Sequence, residues 1–320
     1  MEGVRIVVPG DDPPQIAGSP ALARLQPYGE VVVYRDRPAG TEEKVARARG
    51  AQVIINSRGI VTWREAELRQ LPALRLIATC SIGTDMIDLQ VARAQGVVVS
   101  NQPGRTAPVV AEHVFGLMFA LAKRVAFQTA EMKAGRWTRV TNLTLCDKVL
   151  GIVGTGHIGA EMARLGRALG MQVIAWTFHP SAARARELGV RFVALDELLT
   201  QADVVSLHVK LTPDTRHLIS RRELGLMKDG ALLLNGARGD VVDMDALVEA
   251  LQLGRLGGVG LDVFPQEPVP ADHPILRCDH VAFTPHAADQ TAEGIELLNQ
   301  GAVDNVIAFL EGRPRHNVAV

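Results

Sequence analysis

Short runs of branched apolar residues alternate with amphipathic stretches along most of the chain. A first series of predicted strands covers residues 4–8, 31–34, 53–56, 74–79 and 97–100, and a second covers 149–153, 172–176, 204–209, 231–235, 258–263 and 281–284. Both alternating faces of these runs are mostly apolar, as in strands that are covered on both sides of a parallel sheet. Helical patterns such as 160–169, 195–201 and 244–253 lie between them. The alternation predicts an α/β fold with parallel sheets.

Two longer apolar helices, predicted at about 108–133 and 290–310, bracket the second series of strands. We therefore predict two Rossmann-like, doubly wound parallel-sheet domains. Residues 1–100 plus 286–320 would form a discontinuous, flavodoxin-like substrate domain, and residues 101–285 a dinucleotide-binding Rossmann domain. The helix at 108–133 is too apolar for an exposed connector. It packs either against a second copy of the chain, as a homodimer contact, or within its own domain.

Composition restricts the classes of partner. The 320 residues are 47% hydrophobic and 22% charged with a formal net charge of −1, so no overall field attracts nucleic acid or anionic lipid. No apolar run reaches about 18 residues, so we expect no membrane span, and the first residues carry no export signal. Cys80, Cys146 and Cys278 lack the paired spacing of a disulfide framework or a zinc site. We predict a cytoplasmic protein without a bound metal.

The hexapeptide GTGHIG follows a predicted strand and opens a predicted helix. In that context the pattern indicates a dinucleotide-binding turn. Gly154 permits the tight turn, Gly156 lets the backbone approach a pyrophosphate, and Gly159 allows close packing of helix on strand. The amides of His157 and Ile158 would point at phosphate oxygens from the positive end of the helix dipole.

The next predicted strand ends without the Asp or Glu that commonly binds the adenosine ribose of NAD. Thr177, Phe178 and His179 follow that strand instead. A threonine can bond either a ribose hydroxyl or a 2′-phosphate, and His179 and Arg184 can add positive charge. Thr177 and His179 are therefore candidate cofactor-binding residues. The pattern slightly favours NADP over NAD, and both stay open.

Polar residues also follow three later strands, and the carboxyl ends of parallel strands face the ligand crevice. Arg238 follows the strand at 231–235, while Asp262 and Glu267 come at and beyond the end of the next, and His286 follows the last. Each has an ordinary alternative. Arg238 could form a surface ion pair with Asp240, Glu267 could be a solvated acid in a proline-rich loop, and His286 could be a helix-entry residue.

Taken in order, these stretches resemble the D-isomer-specific 2-hydroxyacid dehydrogenase family. The resemblance covers nearly the whole chain and includes SIGTDMIDL, VAEH, the glycine turn, LTPDTRHLI, ALLLNGARGDVVD, GGVGLDVFPQEPVPADHP and HVAFTPHAADQT. It implies an active site in a cleft between the substrate and dinucleotide domains. It also implies an NAD(P)-dependent oxidoreductase that reduces a small 2-oxo acid to the D-2-hydroxy acid, with glyoxylate and hydroxypyruvate as first candidates.

The resemblance assigns roles to residues. Arg238 would hold the substrate's carboxylate and carbonyl oxygen through its planar fork of donors, and backbone amides around Ile82 and Gly83 would bind the carboxylate. His286 would be the general acid in reduction. Glu267 would fix the tautomer of His286 and favour the imidazolium. The remaining cofactor-binding candidates are Thr106, Val209, Lys210, Thr215, Ala237 and Asp262, the last accepting from the nicotinamide carboxamide.

Some positions depart from the family pattern. Lys210 stands where proline is common, and a cation there favours a phosphate-bearing cofactor. Asn56 stands where phosphoglycerate-type members carry an arginine, so a phosphorylated substrate is not expected. Glu112 and His113 match the pattern, and we interpret them as structural. The alternative function is a non-enzymatic NAD(P)-sensing interaction protein on the same fold, which would need an extra recognition surface or disordered tails that the sequence does not show.

Overall fold

The computed structural model describes residues 3–319, and its chain forms two compact units. One unit combines Met1–Thr106 with Gln290–Val320, and the other is Ala107–Asp289. The boundaries predicted from the sequence fall a few residues earlier in the chain at both crossings. Within residues 3–319, no helix combines the length and the apolar character that crossing a bilayer requires.

The first unit is built on a five-stranded parallel sheet in the order β2-β1-β3-β4-β5, which is the flavodoxin-like order. Its strands are β1 (Val4–Val8), β2 (Gly29–Val33), β3 (Val53–Asn56), β4 (Leu76–Thr79) and β5 (Val98–Ser100). Its first helices are α1 (Thr41–Ala48), α2 (Glu65–Leu68) and α3 (Leu89–Ala94). Strand residues such as Ile6, Ile54, Ile55 and Ile77 are fully buried, because helices cover both faces of the sheet.

The second unit has a seven-stranded parallel sheet in the order β12-β11-β10-β9-β6-β7-β8. Its strands are β6 (Val149–Val153), β7 (Gln172–Trp176), β8 (Arg191–Phe192), β9 (Val204–Leu207), β10 (Leu232–Asn235), β11 (Gly258–Leu261) and β12 (Val281–Phe283). Its helices are α4 (Ala107–Ala122), α5 (Val125–Lys133), α6 (His157–Ala168), α7 (Ala182–Leu188), α8 (Leu195–Gln201), α9 (Arg221–Leu226) and α10 (Met244–Gln252). Counted from β8, the first six strands have the order of a dinucleotide-binding sheet. The prediction of two doubly wound parallel sheets is confirmed.

The single helix predicted over residues 108–133 is wrong, because the chain breaks it into α4 and α5. Arg124 has φ 50° and ψ 35°, a left-handed conformation that ends one helix before the next begins. Lys123 Nζ donates to the carbonyl oxygen of Leu143 at 2.7 Å, and the Arg124 guanidinium contacts the His280 ring. α4 is buried against the sheet, whereas no residue of α5 is buried. The apolar composition therefore continues across a break that no glycine or proline marks.

The other differences from the predicted elements are one short strand and the ends of several strands. β8 has only two residues and was not predicted, and several predicted strands are one or two residues longer than the observed ones. The last helix, α11 (Ala292–Leu310), returns the chain to the first unit. It begins after Thr291, whose hydroxyl accepts from the Gly294 amide at 3.0 Å and so caps the helix.

Candidate active site

The three glycines of the turn between β6 and α6 have three different surroundings. Gly154 has φ 99°, and a Cβ there would lie 2.8 Å from the backbone carbonyl of His208. A Cβ at Gly159 would lie 2.0 Å from the Gly154 oxygen, so only glycine lets the helix sit this close to the turn. A Cβ at Gly156 would meet nothing within 4 Å. Packing therefore explains Gly154 and Gly159, and the open space at Gly156 is compatible with the predicted close approach of a ligand.

The first turn of α6 carries unused donors. No side chain caps this helix at Gly156, and the first helical bond entering it runs from the Ala160 amide to the Gly156 oxygen at 2.9 Å. Within residues 3–319, the amides of His157 and Ile158 have no acceptor. Free amides at the positive end of a helix form a ready site for an anion. The turn therefore fits the pyrophosphate of a dinucleotide.

Thr177 and His179 follow β7, and Arg184 on the next helix reaches the glycine turn. The Arg184 guanidinium donates to the Thr155 oxygen at 3.1 Å and pairs with Glu187 at 2.7 Å. Phe178 packs edge-on against Trp176, with ring centroids 4.8 Å apart, and stays 51% exposed. The end of β7 thus combines a hydroxyl, an imidazole and a guanidinium, and the sequence places no carboxylate between residues 177 and 180.

The loop after β9 holds the next three predicted cofactor residues, and its threonine acts inside the loop. The Thr215 hydroxyl donates to the Lys210 oxygen at 2.6 Å and accepts from the Thr212 amide at 2.8 Å. Thr215 is buried, Val209 is half-buried and Lys210 is exposed. Thr215 therefore shapes this loop, and Lys210 is exposed to solvent on it.

Asp262 lies just beyond the end of β11 and organises the segment after β12. Only 1% of Asp262 is exposed. Its Oδ1 accepts from the Thr284 hydroxyl and the Ala287 amide, both at 2.7 Å, and its Oδ2 accepts from the Ala288 amide at 3.1 Å. Its backbone oxygen accepts from the His286 amide at 2.8 Å. One buried aspartate thus holds the loop that carries His286.

A histidine on α4 joins this group. His113 Nε2 lies 2.9 Å from Thr284 Oγ1 and 3.5 Å from Asp262 Oδ1. Burial acts to raise the pKa of Asp262, but the hydrogen bonds from His113, Thr284 and the Ala287 amide outweigh it, and the pKa is lowered. The carboxylate is therefore ionised at neutral pH.

Glu267 and His286 form a close pair. Glu267 Oε2 lies 2.7 Å from His286 Nδ1, and Glu267 Oε1 accepts from the Phe264 amide at 2.9 Å. Burial acts to raise the pKa of Glu267, yet the bonds to His286 and Phe264 lower it overall. The bond to Glu267 raises the pKa of His286 against the opposing effects of burial and the Arg238 charge. Because an ionised Glu267 accepts at Nδ1, Nε2 is the nitrogen left to exchange a proton with a ligand.

Arg238 lies close enough for its charge to act on the pKa values of both Glu267 and His286, so the second unit brings the three predicted catalytic residues together. Its Nη1 donates to the Ala237 oxygen at 2.7 Å. Asp240, considered above as its ion-pair partner, pairs with Arg216 at 2.9 Å. The predicted site residues therefore cluster after β10, β11 and β12.

The sequence interpretation missed Asn235, the last residue of β10. Its Nδ2 donates to the Arg238 oxygen at 2.9 Å, and its Oδ1 accepts from the Ala237 amide at 3.0 Å. Only 1% of Asn235 is exposed. A buried amide at the end of an otherwise apolar strand, LLLN, was the available signal, because a buried polar group needs partners.

In the first unit, the carbonyl groups of the loop after β4 accept hydrogen bonds from the loop itself and from the segment that follows β5. The Ser81 oxygen accepts from the Gln102 amide at 3.0 Å, the Ile82 oxygen from Asn101 Nδ2 at 2.7 Å, and the Gly83 oxygen from the Ser81 hydroxyl at 2.8 Å. In the described part of the chain, the Ile82 and Gly83 amides have no acceptor. Free amides of this kind are available to an anion.

Thr106, also in the first unit, has a different environment from the other candidates. It is 0% exposed, and its hydroxyl has no hydrogen-bond partner among residues 3–319. A buried hydroxyl without a partner costs stability. Its predicted contact with a cofactor stays a prediction.

Comparison with known proteins identifies the class. The family described as D-isomer specific 2-hydroxyacid dehydrogenase, NAD binding domain, matches residues 115–288, which lie in the second unit. A glycerate dehydrogenase of Methylorubrum extorquens is 39% identical over 87% of this chain and 88% of its own length. A glyoxylate reductase of Korarchaeum cryptofilum is 34% identical, covering 91% and 90%, and a hydroxypyruvate reductase of Thermotoga maritima is 42% identical, covering 71% and 76%.

Solved structures agree. A D-lactate dehydrogenase of Aquifex aeolicus in complex with NAD and lactic acid superposes with a TM-score of 0.84 at 31% identity, covering 97% of this chain and 96% of that one. An acyclic imino acid reductase, Bsp5, in complex with NADPH and D-Arg reaches 0.90 at 26% identity, covering 98% and 100%.

The chain belongs to the D-isomer specific 2-hydroxyacid dehydrogenase family. It is an oxidoreductase that uses a nicotinamide cofactor to interconvert a 2-oxo acid and a 2-hydroxy acid, as predicted. The alternative of a non-enzymatic sensing protein finds no support in these comparisons.

The glycine turn gives a prediction that separates binding from stability. Gly156→Ala should weaken nucleotide binding at least about 10-fold, because its methyl group occupies the ligand approach, and it should leave the melting temperature nearly unchanged. Gly159→Ala should lower the melting temperature, because its methyl group collides with backbone. Nucleotide titration by fluorescence together with thermal unfolding measures both effects. Equal loss of stability in the two variants would contradict this assignment.

Proposed function

We propose that this protein reduces glyoxylate or hydroxypyruvate to the corresponding 2-hydroxy acid, with NADPH preferred over NADH. The observation that carries this proposal is the Glu267–His286 hydrogen bond at 2.7 Å with the charge of Arg238 beside it. That group combines a proton donor, its charge stabiliser and a cation for the substrate. The names of the glyoxylate and hydroxypyruvate reductases among the relatives support the choice of substrates.

The roles of the site residues follow from their chemistry. The nicotinamide, when bound, supplies the hydride. Arg238 binds the carboxylate and carbonyl oxygen of the substrate. His286 gives its Nε2 proton to the carbonyl oxygen as negative charge develops there. Glu267 stays ionised, accepts the hydrogen bond from His286 Nδ1, and stabilises the imidazolium until the Nε2 proton has left.

The cofactor residues divide by the part of the nucleotide that they suit. The glycine turn and the amides of His157 and Ile158 suit the pyrophosphate. Asp262 accepts three hydrogen bonds from its own chain, and His113 Nε2 lies 3.5 Å from its Oδ1. The carboxylate is the proposed acceptor for the nicotinamide carboxamide. Thr177 and His179 suit the adenosine ribose. The remaining proposed cofactor residues are Val209, Lys210 and Thr215 on the adenosine side, Ala237 beside the nicotinamide ring, and Thr106.

The substrate is proposed to be small and unphosphorylated. Asn56 is 1% exposed, and its amide is used internally, donating to the Val61 oxygen at 3.0 Å and accepting from Trp63 Nε1 at 3.4 Å. A buried amide that is satisfied in this way offers nothing to a phosphate. The proposed substrate then carries its charge only on the carboxylate of the 2-oxo acid.

A panel of 2-oxo acids tests the reaction. With NADPH, we expect turnover of glyoxylate and hydroxypyruvate, and at least about 100-fold lower kcat/KM for 3-phosphohydroxypyruvate, because Asn56 offers no charge to its phosphate. The loss of NADPH absorbance measures each rate. Absence of turnover on every acid in the panel would refute the proposed function.

The hydrogen bond between Glu267 and His286 predicts how the reaction rate depends on pH. Reduction needs the imidazolium form of His286. Its rate is therefore highest below the pKa of His286 and falls as the pH rises through that pKa. Because the Glu267 bond raises that pKa, Glu267→Gln should move the loss of reductive kcat/KM to lower pH. In Glu267→Gln, oxidation of the 2-hydroxy acid, which needs neutral His286, should begin at lower pH than in the wild-type protein. Profiles measured beside the exposed control Glu65→Gln test this, and an unshifted profile in Glu267→Gln would contradict it.

Nucleotide preference should depend on Arg184. Arg184→Ala removes the guanidinium that donates to the Thr155 oxygen in the glycine turn. We expect its NADPH affinity to fall about 10-fold, as for a lost charged hydrogen bond, with little change for NADH. Arg186→Ala, on the same helix, is the matched control. Fluorescence titration with both nucleotides gives the four constants. Equal losses for NADPH and NADH in Arg184→Ala would exclude 2′-phosphate recognition by this residue.

We also propose a homodimer that covers α5 and the loop after it. Val125, Phe127, Met132 and Trp137 are 53%, 47%, 59% and 76% exposed, which is unusual for four large apolar residues in one short segment. A second copy of the chain would bury them. Cytoplasmic residence is likewise a proposal, and the free thiols of the three cysteines support it.

Sedimentation velocity measures this assembly. Phe127→Glu with Trp137→Glu should convert a dimer to a folded monomer, because a charge buried at an interface is costly. The single variant Arg69→Glu, at an exposed residue just past the end of α2, also changes the net charge by two units and is the charge-matched control. A monomeric wild-type protein would overturn the proposal.

A further inference from the structure

The hydrogen bonds between His113, Thr284 and Asp262 have only one consistent direction. The Thr284 hydroxyl carries one hydrogen, and the ionised Asp262 can only accept. That hydrogen therefore goes to Asp262 Oδ1 at 2.7 Å. Thr284 Oγ1 is then the acceptor for His113, so His113 Nε2, 2.9 Å away, must carry a hydrogen. His113 is thus the first donor of a relay of hydrogen bonds that ends on Asp262.

On the other side of Asp262, the backbone of His286 has a conformation that its surroundings must stabilise. His286 has φ 51°, in the left-handed region that residues with a side chain rarely adopt. Such a residue stays there only where its surroundings fix it. The amides of Ala287 and Ala288 on the Asp262 carboxylate, and the His286 amide on the Asp262 oxygen, provide that fixation.

We propose that His113 is a positioning residue for the reaction: by donating from Nε2 to Thr284 it orients the Asp262 carboxylate, which holds His286 in its left-handed conformation. This extends the structural role expected for it from the sequence, and it rests on the proposed function of His286. His113 lies on α4, touches neither Glu267 nor Arg238 in any described contact, and acts only through Thr284 and Asp262.

Three substitutions at His113 separate positioning from packing. The amide nitrogen of His113→Gln reaches about the place of Nε2 and donates, His113→Asn is polar but too short, and His113→Leu fills space without donating. Glu112→Gln, exposed on the same helix, is the control. For each full-length variant we would measure kcat and KM for NADPH-dependent reduction of hydroxypyruvate, the melting temperature, and hydrogen exchange of the backbone amides in 284–288.

We expect His113→Leu and His113→Asn to lower kcat about 10-fold with a smaller change in KM, because a proton donor displaced by a fraction of an ångström loses rate rather than binding. Hydrogen exchange in 284–288 should rise in both, and His113→Gln should restore kcat and protection. Wild-type kcat in His113→Leu, or equal defects in all three variants that follow their melting temperatures, would overturn the proposal.

The two proposals fail separately. If the wild-type protein turns over no 2-oxo acid, the proposed function fails. The exchange measurement still decides this inference, because increased exchange in His113→Leu but not in His113→Gln shows the positioning without any turnover, and unchanged exchange in both overturns it.

Discussion

The carboxylate of Asp262 is ionised, only 1% exposed and placed just beyond the end of β11. An ionised acid is tolerated in such a place only when donors surround it. Here the donors are the hydroxyl of Thr284 and the amides of Ala287 and Ala288, all from one short segment after β12. Satisfying this one charge therefore dictates the path of the segment that carries His286.

Asn235 has the corresponding function one strand away, and the two residues are directly connected. The Asp262 amide donates to the Asn235 backbone oxygen at 3.0 Å, while the Asn235 side chain holds the turn of Arg238. The cation proposed for the substrate and the proposed proton donor thus depend on two buried polar residues bonded to each other. Neither of these needs to meet the substrate. A rigid support of this kind suits hydride transfer, which requires its groups to be placed within a fraction of an ångström.

The sequence was most informative where a residue type has one physical reason to be present. Branched apolar runs located eleven of the twelve strands, and the glycine pattern located the turn before α6. It was least informative where a conformation has no compositional signal. Arg124 ends α4 in a left-handed conformation that neither glycine nor proline announces, and β8 is too short for any periodicity to show.

The supporting residues were hidden for a different reason. Hydrophobic periodicity shows which positions are buried, but not which buried donor meets which acceptor. The sequence therefore does not reveal Asn235, and it indicates only a structural role for His113, whose Nε2 lies 2.9 Å from Thr284 Oγ1. For the same reason Asp262 was assigned only to the cofactor, whereas three of its acceptor positions serve its own chain.

In the proposed reaction, His286 delivers the proton, whereas other residues, chiefly those of the glycine turn, bind the cofactor. Stopped-flow measurement of a single turnover, with NADPH-loaded protein mixed with hydroxypyruvate, tests it in wild-type and His286→Gln. The account predicts a fall of at least about 100-fold in the rate of NADPH oxidation, as for loss of a general acid, with NADPH affinity unchanged. A variant that oxidises NADPH at the wild-type rate would contradict the account.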